Sequence, residues 1–419
     1  MSKNQIRSIK GTQDILPEES LKWRVLEKKI HDTMELFNYG EIRTPAFEKT
    51  ELFDRGVGLQ TDIVTKEMYS WIDQGGESLT LKPELTAPVS RAYVQHSLGV
   101  QKPLTKLYYI DALFRRERPQ KGRFRQFHQF GVEAFGSEHP EIDSEIISIA
   151  VTLFKELGLK DISLKLNSIG SENCRDKYKD ELKEFLKPYL KDLSASSQKR
   201  FETNPLRILD TKSPSDIEII KDAPKISNFW SDNDKEHFDE LCVLLDTLNI
   251  KYEVDSNLVR GLDYYSRTTF ELLSPSLGAQ NAICGGGRYD KLVEMIGGKP
   301  TPGIGFAAGI ERIMMTLKNY PDNNSIDIYV VGIGPKVRQT VFALADELRQ
   351  SNLSTECDML RRSIKSQLRE ANKIGAKYAI IIGDKEFENK LVEVKNLKNG
   401  EQEKVAIKSI IGHMTSLSF

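Results

Sequence analysis

Two runs, KLYYIDALFRRE and FRQFHQFGVEAFG, flank the charged, turn-like RPQKGR and read as a long antiparallel hairpin. Alternate residues of a strand point to one face, so Arg115 shares a face with Glu117, and Arg125, Phe127, Gln129 and Glu133 share one on the second run. Cations, carboxylates, an amide and an aromatic ring together make a poor core. From the hairpin alone two readings stay open: a solvated charged face, or the floor of a polar site. Other segments hold complementary groups. LKPELTAP has Glu84 and Thr86, RGLDYYSRTTFE has Arg260, Asp263, Tyr264 and Tyr265, and CGGGRYDKL sets three glycines before Arg288 and Tyr289. PGIGFAAGIER places Arg312 in the first turns of a helix. Guanidinium groups stay charged and offer a planar donor fork, so chemistry on an oxyanion is what such arginines suit.

Gly285, Gly286 and Gly287 could cradle a phosphate with backbone amides, but neither G-x-x-x-x-G-K-[ST] nor G-x-G-x-x-G in a βαβ unit is present. A tight turn or close backbone packing explains them as well. Gly303, Gly305 and Gly309 are read as allowing a helix close to the sheet. His128 falls on the strand face opposite Gln129 and is read as packed or hydrogen-bonded. His31, His96, His139, His237 and His413 have no metal or triad spacing, and Cys174, Cys242, Cys284 and Cys357 form no C-x-x-C pair. No metal site and no disulfide framework is expected.

The elements that must position these groups are legible by periodicity. Leu26, Ile30, Met34 and Phe37 make one helical stripe, ended by Gly40, and the strand-like EIRTPAF follows. Pro45 cannot donate to a ladder, which argues for a sheet edge or a strand terminus. From Ser171 to Leu248 the texture is lysine-rich and helical, with Leu182, Phe185, Leu186, Tyr189 and Leu190 at helical spacing and Pro188 placed to bend or end that helix. After the linker-like KNYPDNNS, the strands IDIYVVGIG, Ser354 to Met359, YAIIIGD and LVEVKNL alternate with helices, one of them carrying Val337, Val341, Leu344 and Leu348. That order predicts a compact α/β domain.

A chain of 419 residues fits two or three domains. Its 60 Lys and Arg nearly cancel 61 Asp and Glu, so any nucleic-acid contact must come from local basic patches. Met1 to Asp14 lacks an apolar targeting core, and no run approaches the ~20 apolar residues of a membrane helix, so no membrane and a cytoplasmic location are expected.

Along essentially its whole length the chain resembles the class II aminoacyl-tRNA synthetases. The helix and strand ending at Pro45, FRRERPQKGRFRQFHQFGVE and GIGFAAGIER resemble the three class motifs in turn. RGLDYYSRTTFE, GGGRYDKL and KGTQDILP narrow the resemblance to the histidyl-tRNA synthetase family. The chain departs from that pattern at Asp111 and Ala112, where the family often has Gly-Pro, and at Leu85 and Lys291, which replace frequent glycines; these positions bear on loop shape more than on chemistry.

The resemblance implies an α+β fold: a class II catalytic domain with an antiparallel sheet flanked by helices, a helical insertion and a C-terminal α/β anticodon-binding domain. The boundaries are 1–170 for the first catalytic segment, 171–248 for the insertion, 249–320 for the second catalytic segment and 326–419 for the anticodon domain. It implies L-histidine, ATP and histidine tRNA as substrates, Mg2+ with the ATP, and a homodimer with the Pro45 segment at its interface. Arg115 and Arg260 are the implied catalytic cations, both also touching histidine. Glu84, Thr86 and Gln129 match positions for its ammonium, and Glu133 and Tyr265, with Tyr264 and Tyr289 nearby, match positions for its imidazole. Arg115, Glu117, Arg123, Phe127 and Arg312 match ATP positions. Gln120 and Arg123, with Arg118 and Lys121, are expected near the acceptor stem, and Arg362 in a basic helix with Arg361, Lys365, Arg369 and Lys373. The alternative is a non-catalytic regulatory paralogue of ATP phosphoribosyltransferase, which typically lacks the arginine of RGLDYY and the C-terminal domain.

Overall fold

The computed structural model describes residues 5–59, 61–120, 122–159, 161–277, 281–317, 326–332 and 334–417. Lys121 and the segment KNYPDNNS lie outside the described residues. The chain divides into two compact units, Met1–Asn319 and Tyr320–Phe419.

The first unit opens with the helix Pro17–Leu36, which has proline in its first turn, where a missing N–H costs nothing, and Glu18 and Glu19 facing the positive helix end. Trp23, Leu26, Ile30 and Met34 form its buried stripe. The helix stops at Leu36, earlier than the Gly40 read from the sequence. Asn38 takes the left-handed turn instead (φ 59°), a conformation asparagine tolerates. Gly40 begins the first strand.

Strands of this unit are β1 (Gly40–Glu41), β2 (Phe47–Lys49), β3 (Tyr69–Ile72), β4 (Ser78–Leu81), β5 (Thr105–Phe114) and β6 (Gln126–Phe135). They continue with β7 (Ser163–Ser168), β8 (Glu253–Val254), β9 (Ser266–Leu273), β10 (Ala282–Arg288) and β11 (Gly303–Gly309). EIRTPAF is therefore not one strand: β1 and β2 are edge strands of different sheets, and Pro45 lies in the irregular stretch between them. The main sheet has eight strands in the order β1-β5-β6-β11-β10-β9-β7-β8, parallel only at its ends, β1 with β5 and β7 with β8. β2, β4 and β3 make a small antiparallel sheet.

Alternation sorts the main sheet into two faces. Phe130, Val132 and Ala134 of β6, Phe270 and Leu272 of β9, and Ile304, Phe306 and Ala308 of β11 bury into one cluster with the helices Pro17–Leu36, Pro140–Glu156 and Asp232–Thr247. The opposite face, with Gln129, Gly131, Glu133, Glu271, Gly303 and Gly305, is left for other work. Of the helical segment 171–248, the final helix Asp232–Thr247 thus shares the core of the sheet. Glu172–Leu186, Pro205–Ile208 and Pro214–Ile220 contribute instead to a second cluster with Tyr109, Phe135 and Tyr289. The Glu172–Leu186 helix ends just before Pro188.

The second unit has β12 (Ile328–Gly332), β13 (Thr355–Cys357), β14 (Tyr378–Ile382), β15 (Leu391–Asn396) and β16 (Gln402–Ala406), ordered β13-β12-β14-β15-β16. β13, β12 and β14 are parallel and the last two antiparallel. Val330 and Ile380 bury on one face and Val331 and Ala379 on the other, which is why these strands read as continuous apolar runs. β16 has no such run; QEKVA is a polar edge strand that periodicity does not mark. Arg361 (φ 54°) and Arg362 stand before the helix Ile364–Lys373, not in it as the basic run suggests.

Gly286 lies in the middle of the main sheet, where an added Cβ would overlap the carbonyl oxygen of Gly305 and come 2.6 Å from Cβ of Phe306. Gly286→Ala must push neighbouring strands apart and is expected to cost about 1–3 kcal/mol. Gly412→Ala, in the helix Ile410–Ser416 with nothing within 4 Å, is expected to be neutral or slightly stabilising. Thermal unfolding of the two variants tests this; a Gly286→Ala protein as stable as the parent would refute the packing argument.

Candidate active site

A cavity of about 960 Å³ opens over the polar face of the main sheet, and a second of about 320 Å³ adjoins it, sharing Arg115, Glu117, Arg123, Gln129, Arg260 and Arg312. Glu84, Thr86, Tyr264, Tyr265 and Tyr289 line the larger one and Phe127 the smaller. Glu133 lies under its floor, 1% exposed.

The Glu133 carboxylate is held by three hydroxyls. Thr86 Oγ1 (2.8 Å) and Tyr109 OH (3.1 Å) donate to Oε1, and Tyr289 OH donates to Oε2. Glu84 caps its own segment, accepting from the backbone N–H of Thr86 (2.9 Å) and Ala87 (2.9 Å). Burial dominates both carboxyls. It pushes Glu84 up to about 7 against the pull of those backbone donors, and Glu133 up to about 8 against Tyr289 and Thr86. Burial also raises Tyr109, Tyr264 and Tyr289 well above the ordinary phenol range, so all three remain donors. Glu84 is reached through an ion pair just before it in the chain: Lys82, 1% exposed, donates to Asp111 Oδ2 (2.5 Å) and to the Thr44 carbonyl (3.1 Å). Asp111, the departure from Gly-Pro, thus ties the strand β5 to the segment that carries Glu84.

The cations cluster on the other side. Arg115 donates from Nε to the Pro83 carbonyl (2.8 Å), and its guanidinium lies 5.3 Å from the centre of the Phe127 ring. Arg260 crosses Gly285, where a Cβ would strike its guanidinium, and pairs with Glu271. Burial works to lower the Arg260 pKa, but Glu271 holds it raised, so its charge is kept. Arg312 donates to the Ala282 carbonyl (2.6 Å), and Arg123 sits 3.3 Å from Glu117.

The glycines are explained by these contacts. Gly285, Gly286 and Gly287 are neither a phosphate loop nor a turn; they are strand β10. Gly303 and Gly305 make room for Tyr289 and Glu133, which a Cβ at either would overlap, and not for a helix. β5 ends at Phe114 and β6 begins at Gln126, so Arg115, Glu117 and Arg125 lie outside the ladder, and strand alternation places only Phe127, Gln129 and Glu133. Arg125 lines neither cavity. Asp263 turns toward the helical segment, accepting from Asn204 Nδ2 (2.7 Å). Gln120 is exposed at the hairpin tip, and Arg362, in the second unit, is held by Asp358 (2.5 Å) and Glu370 (3.2 Å). His128 is hydrogen-bonded to Glu311 (2.9 Å). Among the described residues no three His, Cys, Asp or Glu side chains gather as a metal site.

Reading the sequence misses two site residues, Tyr109 and Glu271. A signal exists for Tyr109. It pairs in register with Gly131, a mid-strand glycine whose missing side chain makes room for the ring. Glu271 closes the RTTFE run, where one carboxylate after two threonines gives no hint of an arginine partner.

A family model described as "Histidyl-tRNA synthetase" matches residues 11–313, and one described as "Anticodon binding domain" matches residues 327–417. The chain is 49% identical over 416 residues to "Histidine--tRNA ligase" of Halothermothrix orenii, covering 98% of this chain and 99% of the relative. It is 48% identical over 409 residues to "Histidine--tRNA ligase" of Acetivibrio thermocellus, covering 97% and 98%. Among solved structures, the apo histidyl-tRNA synthetase of S. aureus superposes with a TM-score of 0.84 at 37% identity, covering 98% of this chain and all of that one (100%).

The raised carboxyls make stability depend on pH. Glu84 and Glu133 hold protons in the folded protein that they release when unfolded, so their contribution is full below about pH 4.5 and is lost as pH rises through about 7 and 8. Glu133→Gln removes one titration. Between about pH 5 and about pH 9 the melting temperature of the parent should fall relative to that of Glu133→Gln. Parallel curves would mean that Glu133 does not bury a proton.

Proposed function

The chain belongs to the histidyl-tRNA synthetase family, and on that premise we propose how its residues divide the work of a class II enzyme that activates L-histidine with ATP and charges tRNA. The curated relatives do not favour the regulatory-paralogue alternative. The observation that carries the assignment of substrate is Glu133, a buried carboxyl group ringed by hydroxyls under a polar cavity floor.

Neutral imidazole has one donor and one acceptor nitrogen. Glu133 accepts the N–H and Tyr265 faces the other nitrogen, with Tyr289 and Tyr109 holding Glu133 and Tyr264 packed on Tyr265 (4.8 Å between ring centres). The ammonium goes to Glu84, Thr86 and Gln129. An apolar isostere would leave these groups unpaired, at about 1–3 kcal/mol each, so selectivity needs no editing site.

Arg115 draws the histidine carboxylate and the ATP α-phosphate together. A carboxylate oxygen attacks the α-phosphorus, pyrophosphate leaves in line, and Arg260, held by Glu271, stabilises the charge that develops. Adenine lies between Phe127 and Arg312, its exocyclic amine donating to Glu117, with Arg123 toward the phosphates. Mg2+ is expected with the ATP, where it would neutralise phosphate charge. The phosphates would supply most of its ligands, with Glu271, which lines the smaller cavity beside Arg260, a carboxylate at hand. In the second step the tRNA 3′-hydroxyl attacks the adenylate carbonyl and AMP leaves. Arg118, Gln120 and Arg123 meet the acceptor end, and the second unit, with Arg362 and Lys365, the anticodon.

We assign the catalytic domain to 1–170 and 249–320, an insertion to 171–248 and an anticodon domain to 326–419. We place the protein in the cytoplasm as a homodimer. No described helix is long and apolar enough to cross a membrane, and the small sheet exposes Phe47, Trp71 and Ile72 beside the Pro45 segment.

Arg260→Ala is expected to bind both substrates yet lose more than about tenfold in adenylate formation, or about 1.4 kcal/mol, because its charge acts mainly in the transition state. Rapid-quench measurement of adenylate checks this, and a smaller loss would remove Arg260 from the chemistry.

A chain cut after Ser325 should keep histidine-dependent pyrophosphate exchange while aminoacylation falls sharply. If the soluble truncated protein charges tRNA as well as the full chain, the anticodon assignment is wrong.

A further inference from the structure

Arg288 follows the three glycines of β10 and is 0% exposed, yet it is one residue from Tyr289 and has no role in the chemistry above. Its Nε donates to both oxygens of Asp143 (2.9 and 3.1 Å) and its Nη1 to Asp290 Oδ1 (2.9 Å). Its Nη2 donates to the carbonyls of Ser137 (2.9 Å) and His139 (3.2 Å), in the turn just past β6. Asp143 is itself 0% exposed and also receives Thr268 Oγ1 (2.6 Å) and lies 3.0 Å from His237 Nε2, on the helix Asp232–Thr247. Burial would raise the Asp143 carboxyl, but Arg288 and His237 hold it below its usual range.

The second carboxylate, Asp290, joins the segments that face the imidazole pocket. Oδ1 accepts from the Gly303 N–H (3.3 Å) at the start of β11, and Oδ2 accepts from Ser266 Oγ (3.2 Å), the residue after Tyr265. Tyr289 donates its own N–H to the Gly303 carbonyl (2.8 Å), and its ring lies where a Gly303 side chain would be. Four pieces of chain that carry or flank Glu133, Tyr265, Tyr289 and Gly303 therefore meet at the Arg288–Asp290 pair. A buried ion pair seldom adds net stability, since apolar residues of the same volume often do as well. What a planar fork adds is direction.

We propose that Arg288 is a positioning residue for histidine recognition: gripping Asp143 on the helix Pro140–Glu156 and Asp290 just past β10, it fixes Tyr289 and Tyr265 around Glu133 in the geometry that reads the imidazole. Lysine cannot replace it, because one ammonium cannot reach both carboxylates and two carbonyls along fixed directions. The inference rests on Glu133 and its neighbours being the imidazole pocket. ATP, bound by other residues, is unaffected.

The test uses the full-length enzyme in histidine-dependent pyrophosphate exchange, with each substrate varied in turn and the melting temperature of each variant recorded. Asp290→Asn keeps shape at a partly exposed position and is expected to fold; Arg288→Lys is the sterner change. Both should raise the histidine KM by about tenfold or more, leave the ATP KM within about twofold and leave kcat at saturating histidine within about threefold. Should Arg288→Lys not fold, Asp290→Asn decides the matter. Variants that melt earlier with a normal histidine KM, or that raise both KM values together, would make the network structural only and overturn the proposal. Glu133→Gln separates the two layers. If it raises the histidine KM and Asp290→Asn does not, the positioning role alone fails; if it does not, the pocket assignment fails and the positioning role with it.

Discussion

Glu133 sits in a central strand with 1% exposure, and a carboxylate taken that far from water is tolerated only with hydrogen-bond partners or a proton. The protein supplies both. Thr86, Tyr109 and Tyr289 surround it, and its pKa rises to about 8. Much of the polar face follows from this requirement. Tyr109 can reach Glu133 because its register partner is Gly131, and Glu133 itself fits because Gly305 on β11 has no side chain in the way. The strand glycines that look like a phosphate loop on paper are volume left for buried polar groups.

The same sheet is ordinary on its other side. Even-numbered residues of β6 and β11 pack against three helices in a continuous apolar cluster, and that rigid layer lets the opposite face carry so many charges without collapsing. Cations and carboxylates there are kept apart in function by pairing. Glu271 occupies Arg260, while Arg115 is directed by a backbone carbonyl and a ring. Each cation is oriented before any substrate arrives, and preorganised charge is the kind that lowers a barrier, because it needs no rearrangement as the reaction proceeds.

The second unit uses its charges differently. Arg362, which stands among a run of basic residues, commits its guanidinium to Asp358, Glu370 and the Tyr329 hydroxyl. What reads as a free basic cluster is, for that member, a guanidinium oriented by carboxylates while its side chain stays 30% exposed. Lys365 and Arg369 remain on the helix Ile364–Lys373.

The sequence by itself determined the local order: the hairpin of β5 and β6, the stripe on the first helix, the α/β alternation after residue 326, and the residue types that mark a polar site. These are legible because alternation and helical periodicity act over a few neighbouring residues. It placed Glu133 on a face with Gln129 but could not name its partners, since Tyr109 and Tyr289 come from 24 and 156 positions away. Nor could it reveal that Arg288 would meet Asp143 across 145 residues, or that Asp111 would bind Lys82. Periodicity says which way a side chain points; only the order in which strands lie side by side says what it meets there. That order, β5-β6-β11-β10-β9 in this sheet, is decided by burying one apolar face against helices gathered from distant stretches of the chain, a free-energy term that no short window of sequence contains.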